Sequence, residues 1–142
     1  MSSPFLADLF PEAHQGPTNA FRPVARYNPY LDILMYLQED CSYRADRVDV
    51  YLTVLWHPHE ERLVGLKLKG FRFLFRSLQH IMGLKDEEWL PLVKALEIAL
   101  VGGVAQSLMD DVESERIQKR YEEARVLAGD VGVSPEEWAR AA

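Results

Sequence analysis

The segment VDVYLTVLWHPHEERLVGLKLKG, residues 48–70, contains two apolar runs separated by a polar turn. In the first run, Val48–Trp56, apolar residues recur at every second position, which is typical of a strand covered on one side. The turn, His57–Arg62, contains Pro58, which cannot donate a ladder hydrogen bond. In the second run, Leu63–Gly70, leucines alternate with lysines. The segment therefore predicts an antiparallel hairpin. The face of the first strand expected to be dry carries Val48, Val50, Leu52 and Val54.

A third strand is expected upstream of this hairpin. The run DILMYLQED, residues 32–40, is dense in apolar and aromatic side chains and ends in charge. A polar stretch, CSYRADR over residues 41–47, separates it from Val48 and is expected to form a connection. Three successive strands joined in this order predict a three-stranded antiparallel meander.

Beyond Gly70 the apolar period lengthens to that of helices. Gly83 supplies the left-handed conformation that commonly ends a helix. The first helix is expected to bury Phe71, Leu74, Phe75, Leu78, Ile81 and Met82. A second helix is expected over residues 89–109, with Trp89, Leu92, Val93, Leu96 and Leu100 on its buried stripe. Within it, Gly102 and Gly103 either kink the helix or form a short VGGV hairpin, and the pattern leaves both readings open.

Two further helices complete the predicted fold. One runs from about Val112 to Ala128, with Gly129 as its stop. The other is a short terminal helix that begins with Ser134, has a first-turn proline and turns Trp138 inward. The fold class is therefore α+β, a three-stranded antiparallel meander followed by three to four helices packed on one face.

The chain divides into a proline-rich arm and one domain. Residues 1–26 contain Pro4, Pro11, Pro17 and Pro23 and show no sustained period. We expect this arm to dock in a groove of its own or a partner subunit, since it is too apolar for an inert linker. Its apolar residues are Phe5, Leu6, Leu9, Phe10 and Phe21. Residues 27–142 form the single α+β domain.

Charge and cysteine content limit the classes of function. The 142 residues carry a net charge of −6, and the excess of acid lies in residues 81–142. An acidic domain repels nucleic acid as a whole. One cysteine, Cys41, rules out an internal disulfide framework and fits a reducing compartment. The N-terminus has no signal-peptide pattern, and the charge-free run at 98–109 is too short to span a membrane. We expect a cytoplasmic bacterial protein.

Two pieces of the chain, YNPYLDILMYL at residues 27–37 and RLVGLKL at 62–68, resemble a family of short bacterial proteins of unknown function. Members begin with a Tyr-Asp-Pro-x-x-Asp-x-Leu-Tyr-Ile strand and later have a Leu-Val-Gly-Ile-x-Ile strand. Asn28 replaces the usual acid and Met35 the usual tyrosine. The resemblance, over about residues 26–72, implies the sheet but no catalytic residues. The matching positions are Tyr27, Pro29, Asp32, Leu34, Leu37, Val64 and Gly65.

The sequence contains no catalytic constellation. It lacks G-x-S-x-G, G-x-x-x-x-G-K-[ST], G-x-G-x-x-G and H-E-x-x-H. Cys41 follows two acids, which disfavour a thiolate. His57 and His59 are weak metal ligands, because no third His or Cys lies at a ligand spacing. We expect a solvated turn there and no cofactor, and a small enzyme or metal protein built on these histidines is one alternative.

A basic run offers a second alternative. Lys67, Lys69, Arg72 and Arg76 lie within ten residues that contain no acid, and together they could form one stripe that contacts phosphates. Against this, lysines on the open face of a sheet usually pair with acids such as Asp49. A nucleic-acid-associated regulator is therefore the runner-up function.

The second helix carries the main functional prediction. Ala95, Ala99 and Gly103 recur every four residues and allow another backbone to approach closely, either in the same chain or in a second subunit. Its apolar residues exceed one stripe, so a neighbour is expected to cover the excess. We predict a non-catalytic, self-associating protein-interaction module, a homodimer open to a further protein partner. The predicted interface comprises Leu90, Ala95, Ile98, Ala99, Val101 and Gly103.

Overall fold

A computed structural model describes residues 21–85, 88–105 and 111–141, which form a five-stranded antiparallel sheet, a two-stranded ribbon and four helices. The main strands are β1 (Ala25–Asn28), β2 (Ile33–Leu37), β3 (Arg44–Arg47), β4 (Leu52–Trp56) and β5 (Leu63–Lys69). The helices are α1 (Phe71–Met82), α2 (Leu92–Ala105), α3 (Asp111–Ala128) and α4 (Pro135–Ala139), and the ribbon strands are β6 (Leu90–Pro91) and β7 (Gly132–Val133). The α+β class is confirmed, with the helices C-terminal to the sheet.

The strand order differs from the predicted meander. The order is β1-β2-β5-β4-β3, so β5 lies between β2 and β4. Gly65 of β5 allows this pairing, because a Cβ at that position would lie 2.4 Å from the Tyr36 backbone oxygen on β2. The simple three-stranded meander is therefore wrong, although the β4–β5 hairpin is confirmed.

The two edge strands of the five-stranded sheet were not predicted from the sequence. β1 begins at Ala25, inside the range expected for the arm, and β3 occupies most of the polar stretch 41–47. An edge strand has neighbours on one side only and needs little apolar alternation, and all four residues of β3 are polar or small. The rest of the predicted arm, residues 1–20, lies outside the described residues.

The strand predicted from Val48 begins only at Leu52. The Asp49 carboxylate accepts hydrogen bonds from the backbone N–H groups of Tyr51 and Leu52, at 2.9 and 2.7 Å, and closes a turn. Val48, Leu52 and Val54 are buried as expected, whereas Val50 lies on this turn and is exposed.

Helix α1 follows the sheet directly, as predicted. Gly70 and Gly83 bound the helix with φ angles of 67° and 60°, a region that favours glycine. The buried stripe is shorter than expected, because Ile81 and Met82 are exposed. The buried side chains of α1 are Phe71, Leu74, Phe75 and Leu78.

Helix α2 begins at Leu92, later than expected. Leu90 and Pro91 form β6 and pair with Gly132 and Val133, and the expected core residue Trp89 is exposed. Residues 101–104 are helical, so the VGGV hairpin reading is wrong. The predicted continuation over residues 106–109 lies outside the described residues.

The last two helices confirm the expected pattern. Helix α3 buries Ile117, Tyr121, Ala124 and Ala128. Ser134 caps α4 by accepting a hydrogen bond from the Glu137 N–H, and Trp138 is buried. None of the helices in the described parts of the chain is long and apolar enough to cross a membrane.

The core lies between one face of the sheet and the helices. Alternate residues of β2, β5 and β4 point to this face, as the aligned pairs Leu34–Leu68 and Tyr36–Leu66 show. The residues between them, such as Met35 and Lys67, lie on the opposite, open face. The sheet thus separates a helix-covered surface from one that is open along β1, β2 and β5, while Thr53 and Leu55 on the β4 part of that face are buried. These two sides carry the two candidate binding surfaces.

Candidate binding surfaces

The histidine turn has a structural use. His57 Nδ1 accepts hydrogen bonds from the backbone N–H groups of His59 and Glu60, both at 3.1 Å. Glu60 also forms an ion pair with Arg62 at 2.6 Å. Within the described residues there is no group of three or more His, Cys, Asp or Glu side chains arranged to hold a metal. In this arrangement the His57 nitrogen that could bind a cation already stabilises the turn.

The predicted interface residues separate into two groups. Leu90, Ala95 and Ala99 are completely buried inside the single chain, so their side chains do not reach the surface. The small residues thus serve packing within the chain. Val101 is 67% exposed and Ile98 is partly buried. Gly103 lies in α2, and its burial is not among the described features.

An apolar surface does exist across α1 and α2. The ring of Tyr51 stacks on Phe73 of α1 with centroids 6.5 Å apart. On α2, a Cβ at Gly102 would lie 3.3 Å from the same tyrosine ring, so Tyr51 touches both helices. Phe73 is 58% exposed and Ile81, two turns along α1, is 66% exposed. We call this surface the helix-hairpin patch; it comprises Tyr51, Phe73, Ile81, Ile98 and Val101.

Sequence reasoning found only part of this patch. Val101 and Ile98 were predicted because their apolar side chains fall off the main stripe of α2. Phe73 and Ile81 were missed. Ile81 fits the helical period of the buried stripe, so its exposure had no sequence signal. Phe73 lies about 200° around the helix from the buried Phe71, at 100° per residue, and this angle indicates an exposed side chain.

The four basic residues of the predicted stripe do not share one surface. Lys67 and Lys69 lie on the open face of β5. Arg72 and Arg76 lie on α1, whose buried stripe joins the core on the other face, where Phe71 contacts Tyr27 with ring centroids 5.5 Å apart. The Arg72 guanidinium donates a 3.1 Å hydrogen bond to the Pro29 carbonyl. The expected stripe therefore divides into two pairs on opposite sides of the sheet.

The acids expected to neutralise the lysines are engaged elsewhere. Asp49 accepts hydrogen bonds from the turn before β4 and from the Tyr121 hydroxyl, and it forms no ion pair with either lysine. The Lys67 ammonium lies 5.4 Å from the centre of the Tyr43 ring. Arg26 on β1 is exposed. It is aligned with Met35 on β2, which is aligned in turn with Lys67 on β5. Among the described residues, neither these lysines nor Arg26 forms an ion pair.

The motif residues of the suggested family form a structural cluster. Asp32 adopts a positive φ of 54° and accepts hydrogen bonds at Oδ1 from the Tyr27 hydroxyl, at 2.7 Å, and from the Arg72 backbone N–H, at 2.9 Å. The carboxylate thus caps α1 from a distant part of the chain. Burial, together with Asp32, raises the pKa of Tyr27 to about 12. This cluster joins the β1–β2 turn to the start of α1.

Comparison with protein-family models, curated proteins and solved structures found no match. The suggested family membership therefore stays a prediction, and the function must be argued from the surfaces themselves.

Proposed function

We propose that this protein is a non-catalytic protein-interaction module that self-associates through the helix-hairpin patch. The observation that carries the proposal is the 67% exposure of Val101 on α2, next in sequence to Gly102, where a Cβ would lie 3.3 Å from the Tyr51 ring that stacks on Phe73. Exposed aromatic and aliphatic side chains in one patch are typical of the centre of a protein interface. Burying them would remove apolar surface that the single chain leaves in water.

A second copy is the partner that the charges favour. The only charged residues in the described part of α2 are Lys94 and Glu97, which pair with each other at 3.3 Å. The α2 side of the patch is therefore close to neutral in a chain with a net charge of −6, while α1 carries the exposed Arg76 and His80 between Phe73 and Ile81. A strongly charged partner would gain little at α2, whereas a second copy brings the same apolar surface and a twofold axis.

The two alternatives have weaker support. A nucleic-acid stripe would need all four cations on one surface, and Arg72 and Arg76 lie on the side of the sheet opposite Lys67 and Lys69. A metal or enzyme site at the turn would use the unprotonated ring nitrogen of His57, which is Nδ1 as long as it accepts two backbone hydrogen bonds.

Sedimentation equilibrium at micromolar concentration tests the proposal. We expect wild-type protein at twice 16.3 kDa, and Val101→Asp or Phe73→Asp at the monomer mass, because a charge in the patch loses its solvation on association. Val126→Asp is the matched control, since Val126 of α3 is 76% exposed and is not a member of the patch. A wild-type monomer, or variants that sediment like the control, would contradict the proposal.

A further inference from the structure

The open face of the sheet carries a second, chemically different surface. Arg26, Met35 and Lys67 are aligned across β1, β2 and β5, and the next aligned row carries Ile33 and Lys69. Cations therefore flank aliphatic side chains that are only partly buried. We call this surface the basic sheet face; it comprises Arg26, Ile33, Met35, Lys67 and Lys69.

Two shallow cavities lie side by side on this face. One, of about 130 Å³, is lined by Phe21, Val24 and Leu37 together with Arg26 and Met35. The other, of about 230 Å³, shares Arg26 and Met35 and adds Leu31, Ile33 and Lys67. Both cavities are lined mainly by apolar side chains, with cations at their rims. Such a pair suits a segment that carries two groups of apolar side chains and an acid.

We propose that the N-terminal segment of this same chain, residues 1–20, binds the basic sheet face. The segment carries Phe5 and Leu6, then Leu9 and Phe10, so that two apolar pairs flank Asp8. It contains two acids, Asp8 and Glu12, and no lysine or arginine. Its apolar and acidic pattern complements the two cavities and the cations Arg26, Lys67 and Lys69, which form no ion pair with the described parts of the chain.

The chain geometry also favours this occupant. Residue 20 is bonded to Phe21, which lines the first cavity, so the C-terminal end of the segment is attached beside the face. Phe10 precedes Phe21 by eleven residues, a length that spans at most about 36–40 Å when extended. Three strands cover only about 10 Å across a sheet, so the segment can fold back over both cavities. A tethered segment also has an effective concentration on the order of millimolar.

Other occupants fit the face less well. A single-stranded nucleic acid would need aromatic rings on which its bases can stack. The Tyr43 ring contacts Lys67, and the cavity lining around Met35 and Ile33 is aliphatic, so this face suits inserted apolar side chains better than bases. Addition of a strand at the β1 edge competes with Glu137, whose carboxylate accepts the Tyr27 backbone N–H at 2.8 Å. Binding on the face leaves that hydrogen bond intact.

Methionine-methyl NMR with a spin label tests the proposal in the full chain. The variant Ala7→Cys in a Cys41→Ser background would carry one nitroxide, and ¹³C-methyl labelling would report Met35 on the face and Met82 at the end of α1. We expect the Met35 signal to lose most of its intensity and the Met82 signal to keep it. Met1, close to the label in sequence, shows that the nitroxide is active.

Charge and apolar variants separate binding from chance proximity. Lys67→Glu with Lys69→Glu should restore the Met35 signal, whereas Lys85→Glu with Lys119→Glu, which changes net charge equally on exposed residues, should not. Phe5→Ser with Phe10→Ser should also restore it, and this pair leaves the described core untouched. Its matched control is Ala13→Ser with Ala20→Ser.

Three outcomes would overturn the proposal. Equal broadening of Met35 and Met82 would show unspecific collapse. A second outcome concerns a mixture of ¹³C-labelled chains without a nitroxide and spin-labelled chains without ¹³C. If the Met35 signal broadens in this mixture but not within one doubly labelled chain, the face binds the segment of a second copy. An unbroadened Met35 signal that shifts on addition of a deoxythymidine oligonucleotide would assign the face to nucleic acid.

Discussion

The Tyr121 hydroxyl donates a 2.8 Å hydrogen bond to Asp49 Oδ2, which joins α3 to the turn that starts β4. Asp49 Oδ1 accepts the backbone N–H groups of Tyr51 and Leu52 on the same turn. Burial, followed by the charge of Asp49, raises the pKa of Tyr121 above its ordinary value. One carboxylate therefore holds together the turn, the sheet and a helix, and it is not the partner of the surface lysines.

Removal of this carboxylate should be costly. We expect Asp49→Ala to lower the free energy of unfolding by about 3 kcal/mol, because two backbone donors and a buried hydroxyl lose their acceptor. Tyr121→Phe removes one bond and should cost about 1 kcal/mol. Urea unfolding followed by tryptophan fluorescence measures both values. An Asp49→Ala variant no less stable than Tyr121→Phe would contradict this role.

The Asp32 cap should tolerate only one kind of replacement. Asn keeps the Oδ1 acceptor for Tyr27 and Arg72 and adopts positive φ more readily than most residues, so we expect Asp32→Asn to cost less than about 1 kcal/mol. Asp32→Ala loses both bonds and strains the backbone, and we expect a cost of about 2–3 kcal/mol. Thermal unfolding of the two variants side by side checks the difference, and equal midpoints would refute it.

Gly65 should be the least replaceable of the described glycines that lie outside turns. Gly65→Ala would place a Cβ 2.4 Å from the Tyr36 carbonyl oxygen and 2.9 Å from a Leu37 methyl, so β2 and β5 must separate. The control is Gly83→Ala, whose Cβ meets nothing within 4 Å but whose φ is 60°; we expect that variant to lose only about 1 kcal/mol. Urea midpoints for both variants test this ranking, and a Gly65→Ala chain as stable as the control would show that the β2–β5 contact can relax.

Alkaline pH should destabilise the fold through Tyr27. The pKa of Tyr27 is about 12 in the folded chain against an ordinary value of 10.0, so the folded state binds more protons in this window. Stability is then complete below pH 10 and falls as the pH rises from 10 towards about 12. Tyr121, raised in the same direction, adds to the loss. Urea unfolding across this range should show a shallower decline for Tyr27→Phe than for wild type, and parallel declines would argue against a contribution from Tyr27.

Local patterns in the sequence were sufficient for the elements with strong periodicity. The β4–β5 hairpin, the ends of α1 at Gly70 and Gly83, and the capped helix at Ser134 all follow from nearest-neighbour chemistry. The placement of Lys67 and Lys69 on one side of a strand follows from the same alternation. The exposure of Val101 was also predictable, since it lies opposite the apolar stripe of α2.

Only the tertiary structure decided which of the other apolar residues stay in water and which cations share a surface. Ala95 and Ala99 became core because α2 packs between α1 and α3, and Leu90 became core in the ribbon strand that pairs with Val133. Residues far away in the chain made both choices.

The open sheet face arose in the same way. Insertion of β5 between β2 and β4 set Met35 beside Lys67, two residues more than thirty positions apart in sequence, while α1 carried Arg72 and Arg76 to the opposite side. Periodicity determines which face of an element is apolar. Which element packs on that face depends on pairing between distant segments. Here β5 pairs with β2 because Gly65 has no side chain to collide with the Tyr36 backbone oxygen.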